Sequence, residues 1–250
     1  MPEVHSPFGY SAVSTFEQCP YRYKLQYIDG LKTIPTDDPA NALVIGTALH
    51  KAIETDIDTA IQEYFDSYPI ITDQHIDEEI KLRYLIPQVK EILPEGIHEV
   101  QVIDRNFMGT LDLLVPVGEK EFDLYDFKYS NNWMRYMDSK QLHLYKYYFE
   151  KCGVERIRNM YFIFVPKVQI RQKKTETVFD FRKRLLKELG KVQVKKEPVQ
   201  YNPQKVIDHL EMTQQIMQCQ EYPKNPTRLC NFCEYQQYCE SNGKVNWMIL

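Results

Sequence analysis

The sequence has no run of about 20 apolar residues, the length that a membrane-spanning helix needs. Its first residues also lack the basic segment followed by an apolar segment that is typical of a signal peptide. We therefore expect a cytoplasmic protein that does not associate with membranes. In that compartment cysteines stay as thiols or bind metals rather than pair as disulfides.

Two further absences bear on organisation and activity. The 250 residues contain no Gly/Ser-rich linker, internal repeat or low-complexity tract, so we predict a single domain over residues 1–250. The phosphate-binding loop G-x-x-x-x-G-K-[ST] is also missing, which argues against an intrinsic ATP motor. The composition, 43% hydrophobic and 26% charged, is that of a folded globular chain.

Charge is distributed unevenly along this weakly acidic chain. The formal net charge is −4. Residues 54–79 contain nine acids and no Lys or Arg, whereas residues 167–196 contain eleven Lys and Arg against three acids. A basic stretch on an acidic protein is typical of a local contact with a polyanion, so residues 167–196 are a candidate wall of a DNA groove.

The hydrophobic pattern predicts helices, then a sheet, then alternating elements. Helices are expected at 10–28 with a break at Pro20, 42–65, 74–92, 138–151, 178–189 and 203–219, and strands at 100–103, 110–117, 122–128 and 159–165. The short charged connection after Gly118 makes the second and third strands a hairpin. This order predicts a mixed α/β (α+β) domain with a central mixed β-sheet flanked by helices.

The hairpin carries the first candidate for chemistry. Asp112 interrupts an apolar strand, while Asp126 and Lys128 lie two residues apart in the next strand and share one face. Carboxylates brought together repel each other unless a cation neutralises them, and Mg²⁺ or Mn²⁺ prefers such oxygen ligands. An adjacent ammonium could orient water or offset charge on a phosphoryl transition state.

Two helices carry further polar pairs. His50 lies in a predicted helix with Glu54 one turn later on the same face, and Gly46 precedes it by one turn. Gln141 and Tyr145 are likewise one turn apart and offer hydrogen-bond partners for phosphates or bases. Either pair alone is weak evidence of function.

Three cysteines, Cys230, Cys233 and Cys239, form a C-x₂-C-x₅-C pattern, which in a cytoplasmic protein indicates a metal centre. A tetrahedral or cubane site needs a fourth ligand. Cys19 is the first candidate, Cys219 the nearest alternative and Cys152 the third. Spacing alone does not decide between zinc and iron–sulfur.

Taken together, these motifs resemble the RecB-type iron–sulfur branch of the PD-(D/E)XK nuclease superfamily. That branch includes the AddB nuclease domain, CRISPR-associated adaptation nucleases and phage recombination exonucleases. The similarity runs in the order of the family's motifs: Cys19-Pro20-Tyr21-Arg22-Tyr23, Gly46 to Glu54, Gly109-Thr110-Leu111-Asp112, Asp126-Phe127-Lys128, Gln141 to Tyr145, and the three late cysteines. It covers almost the whole chain.

The resemblance implies a restriction-endonuclease-like core and a role for each residue. His50, Asp112, Asp126 and the backbone carbonyl of Phe127 would bind catalytic Mg²⁺ or Mn²⁺, with Glu99 as a lesser contributor. Lys128 would act with Asp112 and Asp126 in catalysis, and Gln141 and Tyr145 would bind DNA. A [4Fe-4S] cluster would be held by Cys19, Cys230, Cys233 and Cys239, in an iron–sulfur region formed by about 10–30 and 220–245 that joins the two ends of the chain.

The expected function is therefore that of a metal-dependent DNA exonuclease of bacterial, archaeal or phage origin. It would hydrolyse phosphodiester bonds of single-stranded DNA or DNA ends in recombination, repair or CRISPR adaptation, where a protein of those processes is a possible partner. Two alternatives remain open. One is a structure-specific endonuclease or nickase, and the other is a non-catalytic DNA-binding subunit with a structural metal cluster.

Overall fold

The computed structural model describes residues 8–33, 37–153 and 155–244. The N-terminal segment forms α1 (Tyr10–Gln18), α2 (Pro20–Tyr23) and a π-helical turn (Lys24–Ile28). Cys19 separates α1 from α2 in an extended conformation, with φ −159° and ψ 106°. The break predicted at Pro20 is confirmed, because proline starts a new helix there and has no N–H to continue the old one.

Three helices follow before the sheet: α3 (Ala42–Glu54), α4 (Ile57–Asp66) and α5 (Asp73–Ile92). The prediction of one continuous helix over 42–65 is wrong. Thr55 leaves the helical region with φ −114° and ψ −103°, and Asp56 then caps α4 by accepting a hydrogen bond of 2.8 Å from the N–H of Thr59. A capping aspartate can begin a helix even inside a sequence whose apolar periodicity runs straight through.

One five-stranded sheet organises the molecule. Its strands lie in the order β1 (Ile97–Asp104), β2 (Phe107–Gly118), β3 (Glu121–Tyr129), β4 (Arg156–Val165) and β5 (Lys195–Val199). Only β3 and β4 are parallel, and their connection runs through α6 (Trp133–Met137) and α7 (Gln141–Cys152). The other neighbours are antiparallel. The predicted mixed sheet is confirmed.

Strand β5 was not expected from the sequence. Its residues, KKEPV, contain three charges and a proline, none of which favours a strand. The strand lies at the edge of the sheet, where charge and proline are tolerated and discourage pairing with other chains.

Helices cover both faces of the sheet, and the last part of the chain supplies two of them. These are α8 (Val178–Leu189) and α9 (Pro203–Gln218), followed by a 3₁₀ turn (Arg228–Phe232) and α10 (Gln236–Glu240). One core packs α3, α4, α5 and α8 against one face, and a second packs α7 and α9 against the other. A small third core joins α1 to α9 through Val13, Tyr23 and Ile216. None of the helices in the described ranges combines the length and apolar character that crossing a membrane requires.

A buried histidine links the two helices on the second face. His143 of α7 accepts a hydrogen bond of 3.2 Å at Nδ1 from the backbone N–H of Asn202, the residue that caps α9. Burial, assisted by the charge of Lys205, lowers the pKa of His143 to about 4. The ring is therefore neutral in the folded protein. Its Nδ1 must stay unprotonated to accept this hydrogen bond.

The protein should lose stability as the pH falls from 6.5 to 5. Unfolding exposes His143 to water, where its pKa returns to about 6.5, so the unfolded chain takes up a proton that the folded chain excludes. We expect a loss of about 1–2 kcal/mol from this residue. Urea unfolding of the wild type and of His143→Asn measures it, because asparagine keeps an acceptor and does not titrate. Equal pH slopes for the two proteins would contradict this assignment.

Candidate active site

Asp112 and Asp126 meet because of the register of the hairpin. Leu113 pairs with Tyr125 across antiparallel β2 and β3, so the next position places Asp112 beside Asp126. Oδ2 of Asp112 accepts a hydrogen bond of 2.7 Å from the backbone N–H of Phe127. Lys128, two residues after Asp126 on the same face, places Nζ 2.6 Å from Oδ2 of Asp126. The hairpin alone thus assembles two carboxylates and an ammonium.

Helix α3 brings His50 to the same point. Nε2 of His50 lies 3.2 Å from the carbonyl oxygen of Phe127, and Nδ1 lies 3.5 Å from Oδ1 of Asp112. The backbone of Phe127 therefore contacts the site through both of its polar groups. Its N–H donates a hydrogen bond to Asp112, and its carbonyl oxygen lies close enough to the His50 ring for both to bind the same ion.

Glu99 of β1 completes the group. The pairs His98–Leu113 and Val100–Leu111 flank it, so it lies alongside Asp112. His50, Glu99 and Asp112 each offer one ligand atom, and all three atoms lie within 4.8 Å of one another. Glu99 has a φ of 52°, a left-handed conformation that is uncommon for a non-glycine residue and costs energy. Sequence reasoning gave Glu99 only a lesser role, whereas the structure brings it to the centre.

Burial shifts the pKa values of these side chains, because it disfavours their charged forms. Burial, followed by the negative charge of Asp126, raises the pKa of Asp112 well above its usual value. Burial lowers the pKa of His50, which favours the neutral ring that binds metals. Burial also opposes the charged form of Lys128, but the carboxylates of Asp126 and Asp112 outweigh it and the net pKa is raised.

The residues fit a hard divalent cation. Asp126 is completely buried, and apart from its contact with Lys128 neither of its oxygens has a hydrogen-bond partner among the described residues. Buried carboxylate oxygens are normally paired, because leaving them unpaired costs several kcal/mol. Three carboxylates, an imidazole and a backbone carbonyl oxygen are ligands that Mg²⁺ or Mn²⁺ accepts.

Gln141 and Tyr145 lie on α7, close to the carboxylates. Nε2 of Gln141 donates a hydrogen bond of 3.0 Å to the hydroxyl of Tyr145. Burial raises the pKa of Tyr145, and the charge of Asp126 adds to this effect. Gly109 is required beside this ring, because a Cβ there would lie 2.7 Å from Cε1 of Tyr145.

Sequence reasoning missed Tyr10, the first residue of α1. Burial raises the pKa of Tyr10, whereas the charges of Lys128 and Arg135 lower it, so its hydroxyl lies within electrostatic range of the site. Tyr10 and Tyr145 line a common cavity of about 280 Å³ together with Gly109. The sequence carries no signal for this shared cavity, since 135 positions separate Tyr10 from Tyr145.

A second feature lies at the other end of α1. Cys19, Cys230, Cys233 and Cys239 line one cavity of about 670 Å³. The two remaining cysteines lie outside it: Cys219 donates to the carbonyl oxygen of Glu221, and Cys152 is exposed beside Ile103. Of the three candidates for a fourth ligand, the structure thus brings only Cys19 to the late cysteines.

The chemistry of this cavity suits an anionic group. Nε of Arg22 is buried and has no hydrogen-bond partner among the described residues, although another nitrogen of this side chain pairs with Glu234. Arg22 and Lys224 both line the cavity. In the described part of the chain, no three cysteine sulfurs lie within 4.8 Å of one another.

The basic stretch 167–196 spans α8, strand β5 and the segment that precedes α8. Several of its cations have structural partners. Arg182 pairs with Asp73 and Asp77 of α5, and Arg184 pairs with Glu176. These pairs fasten α8 to its neighbours, so only part of the formal charge is available for a ligand.

Comparisons with known proteins agree with the geometry. The family model described as the PD-(D/E)XK nuclease superfamily matches residues 7–240. A solved structure of a candidate exonuclease from Eubacterium rectale is similar with a TM-score of 0.52 and 10% identity, covering 90% of this chain and 93% of that chain. A structure described as SSO0001 has a TM-score of 0.42 and 10% identity, covering 92% and 84%. No curated protein matches the chain.

The family match and the two solved structures support different conclusions. At 10% identity, the first solved structure bears on the fold alone, and the second is too dissimilar to support an argument. The family match covers nearly the whole chain, and the mixed sheet flanked by helices is the architecture expected of a restriction-endonuclease-like core. The chain belongs to the PD-(D/E)XK nuclease superfamily.

Proposed function

We propose that the protein is a divalent-metal-dependent DNA exonuclease that acts on single strands or DNA ends. The observation that carries this proposal is the convergence of His50, Glu99, Asp112, Asp126 and Lys128 on the carbonyl end of β3. The biological process, whether recombination, repair or CRISPR adaptation, stays a prediction. The endonuclease and the non-catalytic DNA-binding subunit are the alternatives.

Each residue would have a distinct task. His50, Glu99, Asp112 and Asp126, with the carbonyl oxygen of Phe127, would hold the cation. A bound Mg²⁺ or Mn²⁺ supplies an activated water and a Lewis acid for phosphodiester hydrolysis. Lys128 would place its ammonium where charge develops on the phosphoryl oxygens. Gln141 and Tyr145 would present an amide and a hydroxyl to the DNA backbone.

We further propose that the cavity lined by the four cysteines holds a [4Fe-4S] cluster. The lining of one cavity by all four cysteines supports this proposal, because a cubane takes one thiolate at each of its four irons. Arg22 and Lys224 would offset the cluster's negative charge. The cluster would join about 10–30 to 220–245, within a single domain over 1–250.

Replacing Asp112 by Asn should stabilise the metal-free protein and remove its stabilisation by Mn²⁺. The amide keeps an acceptor for the N–H of Phe127 but deletes a buried charge, leaving Asp126 and Lys128 as a neutral pair. We expect the free energy of unfolding without metal to rise by about 1–3 kcal/mol. Thermal unfolding with EDTA and with Mn²⁺ measures both effects.

Asp123→Asn is the matched control. Asp123 is a buried aspartate of β3, the strand that pairs with the strand of Asp112, but it accepts hydrogen bonds from Asn159 outside the site. This variant should keep its stabilisation by Mn²⁺. A wild type that Mn²⁺ does not stabilise, or an Asp112→Asn protein that gains as much as the wild type, would contradict the proposed metal site.

Cys19→Ala should lose the cluster and much of the protein's stability. A crosslink from Cys19 to Cys230 closes a loop of about 210 residues, which is worth about 5 kcal/mol in the chain-entropy model. Anaerobic reconstitution followed by iron and sulfide analysis should give about four of each per wild-type chain. Cys152→Ala is the control and should match the wild type. Zinc without sulfide in the wild type, or a full cluster in Cys19→Ala, would overturn this assignment.

Cleavage of end-labelled linear and of circular single-stranded DNA tests the activity itself. With Mg²⁺ or Mn²⁺, the linear substrate should be degraded and the circle should survive. Asp112→Asn and Lys128→Gln should each lower the rate by about 100-fold or more. Lys151→Gln, which removes a lysine paired with Asp104 outside the site, should leave the rate unchanged.

The other outcomes of this assay separate the alternatives. Metal-dependent cutting of the circle would favour the endonuclease. Equal, negligible cleavage by the wild type and Asp112→Asn, with the cluster present in both, would favour the DNA-binding subunit.

A further inference from the structure

A short helix exposes two large apolar side chains immediately beyond the catalytic strand. Helix α6 (Trp133–Met137) begins four residues after β3 ends. Trp133 is 50% exposed and Met134 is 66% exposed. The exposed apolar surface of each of these side chains has a cost, because it would be more stable out of water. Because the helix begins four residues after the strand that carries Asp126 and Lys128, a substrate bound at the site is a candidate to cover them.

The inner side of α6 is fixed against the active site. The ring of Tyr136 lies 5.5 Å from Nζ of Lys128 and packs on Phe162 and Phe164 of β4. Trp133 precedes Tyr136 by three residues, so the two side chains are neighbours on the helix surface. Trp133 is thereby held one helical turn from the residue that contacts Lys128.

The charges around α6 favour a polyanion. Arg135 is exposed and forms no ion pair within the described ranges, and its charge acts on Tyr10 at the site. Asp138, the only acid between residues 127 and 149, is paired with Lys205 at 2.5 Å. A phosphate chain that approaches Lys128 would therefore meet a cation and no free carboxylate along this helix.

We propose that Trp133 is the platform on which a nucleobase of the single-stranded substrate stacks next to the phosphate that is cleaved. This inference rests on the proposed nuclease function and adds the reason for a single-strand preference. In a duplex the bases are stacked and paired inside, whereas a single strand offers free base faces. Stacking on an aromatic ring tolerates any base sequence. In such proteins it acts together with cations that bind the phosphate backbone, and Arg135 would be that cation here.

The sequence permits a direct optical test. The chain has two tryptophans, Trp133 and Trp247, so Trp247→Phe leaves Trp133 as the only one. In a Trp247→Phe, Asp112→Asn protein, which binds without cutting, oligothymidylate should quench the tryptophan fluorescence saturably. A blunt duplex of the same length should not. Direct stacking moves this signal, whereas a purely structural role for Trp133 would not.

Binding and cleavage of the variants complete the experiment. Trp133→Ala should weaken binding of single strands by about 5- to 150-fold, the range that the loss of one stacked base predicts. Trp133→Phe should restore most of that affinity. Ile70→Ala, which truncates a side chain that is 73% exposed in the acidic region, is the control and should bind like the wild type.

The possible failures are distinguishable. If the wild type cleaves single strands but Trp133→Ala binds normally and oligothymidylate causes no quenching, the platform is overturned and the nuclease stands. Equal quenching by duplex and single strand would also overturn it. If quenching and the Trp133→Ala defect appear but no wild-type cleavage is found, the platform stands and the catalytic function fails.

Discussion

The site depends on one unfavourable contact, the burial of Asp112 beside Asp126 on adjacent strands. The hairpin register imposes this contact, and the surrounding groups reduce its cost. Phe127 donates its N–H to Asp112, and Lys128 lies 2.6 Å from Asp126. The remaining imbalance is what a divalent cation would remove. The same residues thus destabilise the empty fold and create its affinity for metal.

Helix α1 physically connects the two candidate centres. Tyr10 at its beginning lies within electrostatic range of Lys128, and Cys19 directly after its end lines the cysteine cavity. Glu17 pairs with Lys140 at 2.5 Å, which fixes the helix to the start of α7 beside Gln141.

The sequence analysis correctly predicted features that depend on a single helix or turn. The Pro20 break and the 118–121 hairpin turn lie where proline and turn chemistry place them. The sequence analysis missed features that depend on a neighbouring strand of the sheet. Strand β5 exists because β4 offers it an edge, and Glu99 reaches the site because β1 pairs with β2. Neither partner is visible in a local window of sequence.

The sequence by itself determined the chemical inventory: two strand aspartates followed by a lysine, a helical histidine, and four cysteines at the ends of the chain. These residue types restrict which ions can bind, because ligand preference belongs to the side chain. Only the tertiary structure decided which of them meet. It selected Cys19 over Cys219, brought Glu99 and Tyr10 to the site, and paired some cations of the basic stretch with acids. The physical reason is that long-range proximity follows from strand pairing and helix packing, which depend on the whole chain at once.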